Sequence, residues 1–480
     1  MQTVSRTLAP THPLDLPATE IAAGIRARHF SAEAVVVESL RRAKVVNQTL
    51  NAFTLLREEA AIASARAADE RVATGGDTPA LLGVPFAAKD LTPTKGDLTT
   101  LGSWTRGNWI PTETALCIER LEAAGAILIG KTTTPEFGHK PFTEGPFFGR
   151  TLNPHSHAHT CGGSSGGAAV AVAAGMGQLA LGSDGGGSIR IPAACCGVVG
   201  LKATLGAIPN LQAPDLFGAN SFVGPMARDV ADTALMFEAL AGPDRRDPYG
   251  QAPAFPERRL GGDEKPRIGV LLRCGNILDP DVETAVVAAM RQAEALGWIV
   301  EPIELDFVSL EPHFLVFLRS LLLARLGSHA EKTPEKLDPI LLATIEAGRG
   351  YSSADLCQAQ FARTDCFAKV QDILARFDLI ASPTLSAPAL PVDLDPLGQI
   401  DIAGKPAGTI RGAWYPYTFP FNLTGHPALS LPCGQSSNGL PIGLQLVASW
   451  HADRYLLDVA ARLRVVLLSK NINEAGHWPA

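Results

Sequence analysis

Charge is scarce in this chain of 480 residues: only 19% of them are Asp, Glu, Lys or Arg, and the formal net charge is −7. An acidic chain with no run of Lys and Arg has no field to hold a phosphate backbone, so no nucleic-acid partner is expected. Cys-x-x-Cys pairs are absent as well. The eight cysteines, at positions 117, 161, 195, 196, 274, 357, 366 and 433, fit neither a disulfide scaffold nor a zinc-ribbon spacing, and they read as buried thiols. Long apolar runs are missing too. The two most apolar stretches, 168–182 and 314–326, are interrupted by glycines and by Arg319 and Arg325, and both fall short of the ~20 residues that cross a bilayer. No membrane span is expected. Residues 1–30 hold no apolar core followed by a small-residue cleavage site, so the expected location is cytoplasmic.

What the chain does have is a rhythm of alternating periodicities. Helical patterns at 19–28, 31–46 (with Ser31 as N-cap) and 58–74 give way to short apolar runs at 83–89 and 126–130, separated by a helical pattern at 112–124. Strand patterns at 267–272, 298–305, 378–382 and 428–431 alternate with helical ones at 228–240, 281–296 and 453–467. The segment 310–375 is helical almost throughout. This alternation predicts an α/β fold with parallel or mixed strands. The Pro-, Arg- and Asp-rich stretch 242–266 is the best linker candidate, although later strands are free to rejoin the same sheet.

Glycine is in surplus: 46 are present where average usage gives about 34. Thirteen of them fall in residues 162–206, where about 3 are expected. They frame two serine clusters, Gly-Gly-Ser-Ser-Gly-Gly at 162–167 and Gly-Ser-Asp-Gly-Gly-Gly-Ser-Ile-Arg-Ile-Pro at 182–192. Glycines beside a serine let a ligand approach exposed main-chain N–H groups, which together form an anion-binding concavity. The anion could be a phosphate or a transient oxyanion. A phosphate loop ends in Gly-Lys-Ser/Thr, whereas these glycines end in serine, and Gly-x-Gly-x-x-Gly matches mean little in so glycine-rich a stretch. An oxyanion needs a nucleophile, and Ser188, directly after three glycines, is placed to supply it. The base is less evident. No histidine lies in the segment, the cluster His155, His157 and His159 sits in a polar loop that reads as solvated, and no Gly-x-Ser-x-Gly elbow is present. Lysine is the remaining base type, as in serine–lysine hydrolases.

These residues resemble the amidase signature family, and the resemblance extends over nearly the whole chain. The two-serine motif carries it, with Cys-Gly-Val-Val-Gly at 196–200. Further blocks agree: Gly-Val-Pro-Phe-Ala-Ala-Lys-Asp at 83–90, Gly-Lys-Thr-Thr-Thr-Pro-Glu-Phe at 130–137, Gly-Pro-Met-Ala-Arg at 224–228, Phe-Asn-Leu-Thr-Gly-His-Pro-Ala at 421–428 and Gly-Leu-Pro-Ile-Gly at 439–443. The resemblance implies a single large mixed β-sheet covered by helices on both faces. It implies one domain over 1–480, with a helical region at 1–76, a catalytic core at 83–241, and the rest of the sheet at 267–480 with its helical insertion at 310–375. It also implies a Ser-cisSer-Lys triad of Ser188, Ser164 and Lys89, and an oxyanion hole from the N–H groups of Gly185, Gly186, Gly187 and Ser188. Asp184 and Arg190 would hold the loop, and Ser165 would hydrogen-bond beside the triad.

The implied activity is hydrolysis of the C–N bond of a small-molecule amide or carbamate through an acyl-enzyme, by a monomer or homodimer needing no metal or organic cofactor. Bulky apolar or aryl amides and anilides are the expected substrates. Trp414, Tyr415 and Tyr417 are the candidates for stacking on a substrate ring. Phe314, Phe317, Leu318 and Leu321, at near-helical spacing, fit either a pocket wall or ordinary core packing. Three departures from the family pattern bear on pocket shape: Cys161 stands where many relatives have proline, Gly185 replaces a larger residue, and Lys202-Ala203-Thr204 lacks a proline. The alternative is the A-type component of an amidotransferase, releasing ammonia from glutamine for a partner. That reading asks for an arginine in the helical region before Tyr351, and residues 337–348 contain none.

Overall fold

The computed structural model describes residues 12–218, 220–251 and 258–470. Residues 1–11 of the N-terminal region and 252–257 of the linker candidate lie outside the described residues.

Fifteen strands occur among the described residues, in chain order β1 (Phe53–Leu56), β2 (Pro85–Lys89), β3 (Ile127–Thr132), β4 (Glu144–Gly145), β5 (Gly149–Arg150), β6 (Leu179–Asp184), β7 (Val199–Lys202), β8 (Phe222–Ala227), β9 (Arg267–Val270), β10 (Ile299–Pro302), β11 (Leu379–Pro383), β12 (Gln399–Ile402), β13 (Lys405–Thr409), β14 (Ala428–Gln435) and β15 (Pro441–Ala448). Eleven build one sheet in the order β1-β3-β2-β6-β8-β7-β14-β15-β11-β9-β10. It is mixed: β2 runs parallel to both β3 and β6, whereas β6 pairs antiparallel with β8. Strands on either side of the linker candidate share this sheet. All five residues of β2 and all eight of β15 are buried. Side chains of a strand alternate between faces, so full burial means that both faces are covered, here by helices.

Local sequence explains where the elements start and stop. Ser31 caps the helix Ala32–Leu50, its hydroxyl accepting from the Ala34 N–H, and Ser352 with Asp355 forms a capping box on Ser353–Leu374. The 310–375 segment is three helices, Glu311–Lys332, Pro339–Gly348 and Ser353–Leu374. Pro339 opens the second, in the first turn where its missing N–H costs nothing. The 112–124 helix begins only at Leu116, because the residues before it tie down the loop after β2: Ala115 N donates to Pro93 O, and Thr114 Oγ1 accepts from Lys95 N. The 298–305 strand stops at Pro302.

Within the large sheet, strands β1, β6, β7, β8 and β15 leave no clear strand pattern in the sequence. β1 is only four residues long, and the other four carry glycine or proline, the residues least common inside strands. Seven cysteines are buried and Cys357 is exposed. No helix among the described residues is long and apolar enough to cross a membrane.

Candidate active site

Parallel pairing of β2 with β6 brings two strand ends together on one side of the sheet, Lys89 closing the first and Asp184 the second. Between them lies the helix Gly166–Ala173, entered through Ser164 and Ser165. The Gly163–Ser164 peptide bond is cis. A side chain at Gly182 would place its Cβ 3.1 Å from Ser165 Oγ and 2.9 Å from Ile189 Cγ1, so only glycine leaves room for the serines.

Lys89 is wholly buried. Its Nζ lies 2.7 Å from Ser164 Oγ and 3.0 Å from both Ser165 Oγ and Ser183 Oγ. It makes no ion pair among the described residues. Burial drives its pKa down to about 7 against a smaller opposing pull from Asp184. The Ser165 hydroxyl donates its proton to the Ser183 carbonyl at 3.0 Å and can therefore only accept from Lys89. The lone pair of a neutral Lys89 is thus left for another hydroxyl, and Ser164 is the nearest. Two other lysines are as deeply buried but touch no serine. Lys131 donates to Thr92 O at 2.5 Å and Thr99 Oγ1 at 2.9 Å, with Asp90 3.8 Å away. Lys202 donates to His426 O and sits 4.0 Å above the Phe222 ring.

Ser188 is half-buried, and nothing among the described residues hydrogen-bonds its hydroxyl. Its carbonyl accepts from Ser165 N at 3.1 Å, tying the two serine loops together. The loop between Asp184 and Arg190 is fixed from below. Both residues are fully buried, with Asp184 Oδ1 and Oδ2 meeting Arg190 Nη2 and Nε at 3.0 Å. Arg190 Nη1 donates to Thr418 O and Gln445 Oε1, and Nη2 also donates to Asn422 Oδ1, so all five guanidinium protons are used. Burial by itself would raise the Asp184 pKa, but the Arg190 charge and the hydrogen bonds from Arg190 and Asn422 hold it well below the ordinary carboxylate value.

The same carboxylate corrects one sequence expectation. Asp184 Oδ1 accepts the Gly187 N–H at 2.6 Å, which removes Gly187 from the set of donors open to an oxyanion. Its φ of +127° and a Cβ position 2.4 Å from Thr418 Oγ1 give Gly187 another role, that of letting the loop turn. The N–H groups of Gly185, Gly186 and Ser188 carry no hydrogen bond among the described residues.

A second correction concerns the aromatic candidates. Trp414 is wholly buried, its Nε1 donating to the carbonyls of Ala387 and Pro388 and its ring stacked on Phe142. Tyr417 is buried with its hydroxyl on Leu272 O at 2.6 Å. Neither offers a face to a substrate. Tyr415 is also buried but borders a small cavity. Phe314 does reach the site: the Cβ position of Gly186 is 2.8 Å from its Cζ, and the ring packs with Phe419 and Leu423. His155 and His157 are exposed and His159 is partly so. Sequence reasoning missed Ser183, Thr418, Asn422 and Gln445. Ser183 sits inside the two-serine motif, one position before Asp184, whereas Thr418 reaches the site from a turn, Asn422 from the short helix Pro420–Thr424 and Gln445 from β15, all more than 200 positions away.

The Amidase family model matches residues 34–457. The chain is 37% identical over 466 residues to the putative amidase AmiA2 of Mycobacterium tuberculosis, covering 93% of this chain and 92% of that one. It is 36% identical over 469 residues to the A-type component of the glutamyl-tRNA(Gln) amidotransferase of Lachnospira eligens, covering 90% and 94%. Its structure superposes on the crystal structure of a bacterial aryl acylamidase of the amidase signature enzymes with a TM-score of 0.88, at 27% identity over 98% of this chain and 100% of that one. A match of this extent in both sequence and fold leaves one conclusion, that the chain belongs to the amidase signature family.

Proposed function

We propose that this protein hydrolyses amides with Ser188 as nucleophile, Ser164 as proton relay and Lys89 as base. The observation that carries the reading is a buried lysine with no ion-pair partner among the described residues, in reach of three serine hydroxyls, whose pKa is held at about 7. At neutral pH a large share of such a lysine is unprotonated, whereas an ordinary one is not.

Ser188 Oγ attacks the amide carbon while its proton passes to Ser164 Oγ, whose own proton moves to Lys89 Nζ. The developing oxyanion accepts from the free N–H groups of Gly185, Gly186 and Ser188. On collapse the proton returns through Ser164 to the leaving nitrogen, the C–N bond breaks, and Ser188 holds the acyl group. Water then repeats the sequence and frees the acid. Phe314 against Gly186 gives the reacting carbonyl an apolar neighbour, which favours bulky or aryl amides and anilides, and extends to carbamates, over acetamide. The aryl acylamidase relative supports this substrate class.

The second reading, ammonia release from glutamine for a partner protein, is favoured by the amidotransferase relative. The helix Pro339–Gly348 offers no arginine to grip a glutamine carboxylate. A panel of p-nitroanilides, aryl carbamates, acetamide and glutamine tests the choice. Turnover of the anilides by the purified chain supports the hydrolase, and ammonia release from glutamine only when a partner is added overturns it.

A further inference from the structure

A cavity of about 130 Å³ beside the catalytic loop holds polar groups that the hydrolysis above does not use. His139, Lys140, Glu311, Arg319, Arg411 and Tyr415 are among its walls. Two contacts join it to the reacting centre. The Cβ position of Gly138, the residue before His139, is 3.1 Å from Ser164 Oγ. Phe314, whose tip meets Gly186, carries the Arg411 guanidinium 4.8 Å above its ring.

The hydrogen bonds of these walls leave a remainder. Lys140 is paired with Asp338 at 2.8 Å and lies 3.8 Å from Glu144, and Glu311 accepts from Thr409 Oγ1 at 2.7 Å. Arg319 Nη1 donates to Tyr351 OH at 2.9 Å, but its Nε is buried without an acceptor. His139 is 7% exposed. Its Nδ1 lies 2.7 Å from the Glu136 carbonyl, which can only accept, so Nδ1 carries the proton and the buried Nε2 lone pair has no partner. Arg411, half-buried, makes no ion pair or hydrogen bond among the described residues and rests between the Phe314 and Tyr415 rings, the latter 5.2 Å away. A guanidinium withdrawn from water without a counter-charge is costly, and two of them share this cavity with the single carboxylate of Glu311.

We propose that the cavity is a carboxylate subsite. The carboxylate of a substrate sits against the Arg411 guanidinium, with the Arg319 charge on the same wall adding to the attraction. Arginine is suited to this because its planar fork matches two carboxylate oxygens. The inference rests on the Ser188 amidase reading and narrows it: the favoured amides carry an anionic group away from the scissile bond.

The test compares matched p-nitroanilides, glutaryl against hexanoyl, and matched anilides, 4-acetamidobenzoate against acetanilide, by kcat/KM. In the wild-type enzyme the carboxylate-bearing member of at least one pair is expected to lead by about 10- to 100-fold, the range of a charged hydrogen-bonded contact. Arg411→Met is expected to bring that ratio to near unity and Arg411→Lys to restore part of it. Each variant is its own control, because a ratio of two substrates does not depend on how much enzyme is folded. Turnover of neutral anilides with no carboxylate preference in either pair overturns the subsite alone, as does a preference that survives Arg411→Met. Failure to cleave any amide, neutral or anionic, overturns the amidase reading and the subsite with it.

Discussion

Lys89 is a residue at which stability and chemistry pull in opposite directions. Its pKa, about 7 against an ordinary 10.5, corresponds to about 5 kcal/mol at 1.36 kcal/mol per pH unit. The sign follows from proton counting: between pH 7 and 10.5 the unfolded chain holds a proton that the folded one has lost, so folding stability rises with pH across that window. Below pH 7 both states are protonated and the full penalty stands. Lys89→Met is therefore expected to abolish amide turnover while raising the thermal midpoint at pH 6, with the gain shrinking as pH climbs from 7 towards 10. Melting curves across that range check it. With Lys89 as the proposed base, kcat/KM is expected to rise about tenfold per pH unit below 7 and to level off above it. The lysine was legible in the sequence as the end of a short apolar strand. Its third serine, Ser183, was not, because only the register of β2 against β6 turns that hydroxyl towards Nζ.

At the scale of the element, the loop from Asp184 to Arg190 owes its shape to the carboxylate beneath it. Asp184 accepts from Gly187 N and Ile189 N, while the N–H groups of Gly185, Gly186 and Ser188 stay without a partner among the described residues. The glycine surplus showed that a loop of this kind exists. It could not show which N–H is spent on structure, since that depends on where the carboxylate lies in space. Gly187→Ala would force a Cβ to within 2.4 Å of Thr418 Oγ1 at a φ of +127°. The expected result is a fall in kcat of about 100-fold or more, the cost of displacing an oxyanion donor, with the circular dichroism spectrum unchanged. The aromatic candidates failed for a related reason. A tryptophan beside glycine looks available in a sequence, but Trp414 has both its N–H and its ring faces engaged by the segments around it.

Across the whole molecule, one buried arginine joins parts of the chain far apart in sequence. Arg190 contacts Asp184 at the end of β6, Thr418 and Asn422 before β14, and Gln445 within β15. Removing its charge leaves Asp184 buried and unpaired, so Arg190→Met is expected to cost about 3 to 5 kcal/mol in urea unfolding. The α/β class and the grouping of Lys89 with Ser164 and Ser165 were legible because short motifs carry both. The partners that brace the site were not, since Thr418, Asn422 and Gln445 lie more than 200 positions along the chain from Arg190 and meet it only once the chain is folded. The central claim is that Ser188 carries the acyl group. Rapid quenching of the enzyme with a p-nitroanilide substrate, followed by peptide mass mapping, reads this directly. The expected result is an acyl adduct on Ser188 that is absent from Ser188→Ala; an adduct on Ser164, or one that persists in Ser188→Ala, would contradict it.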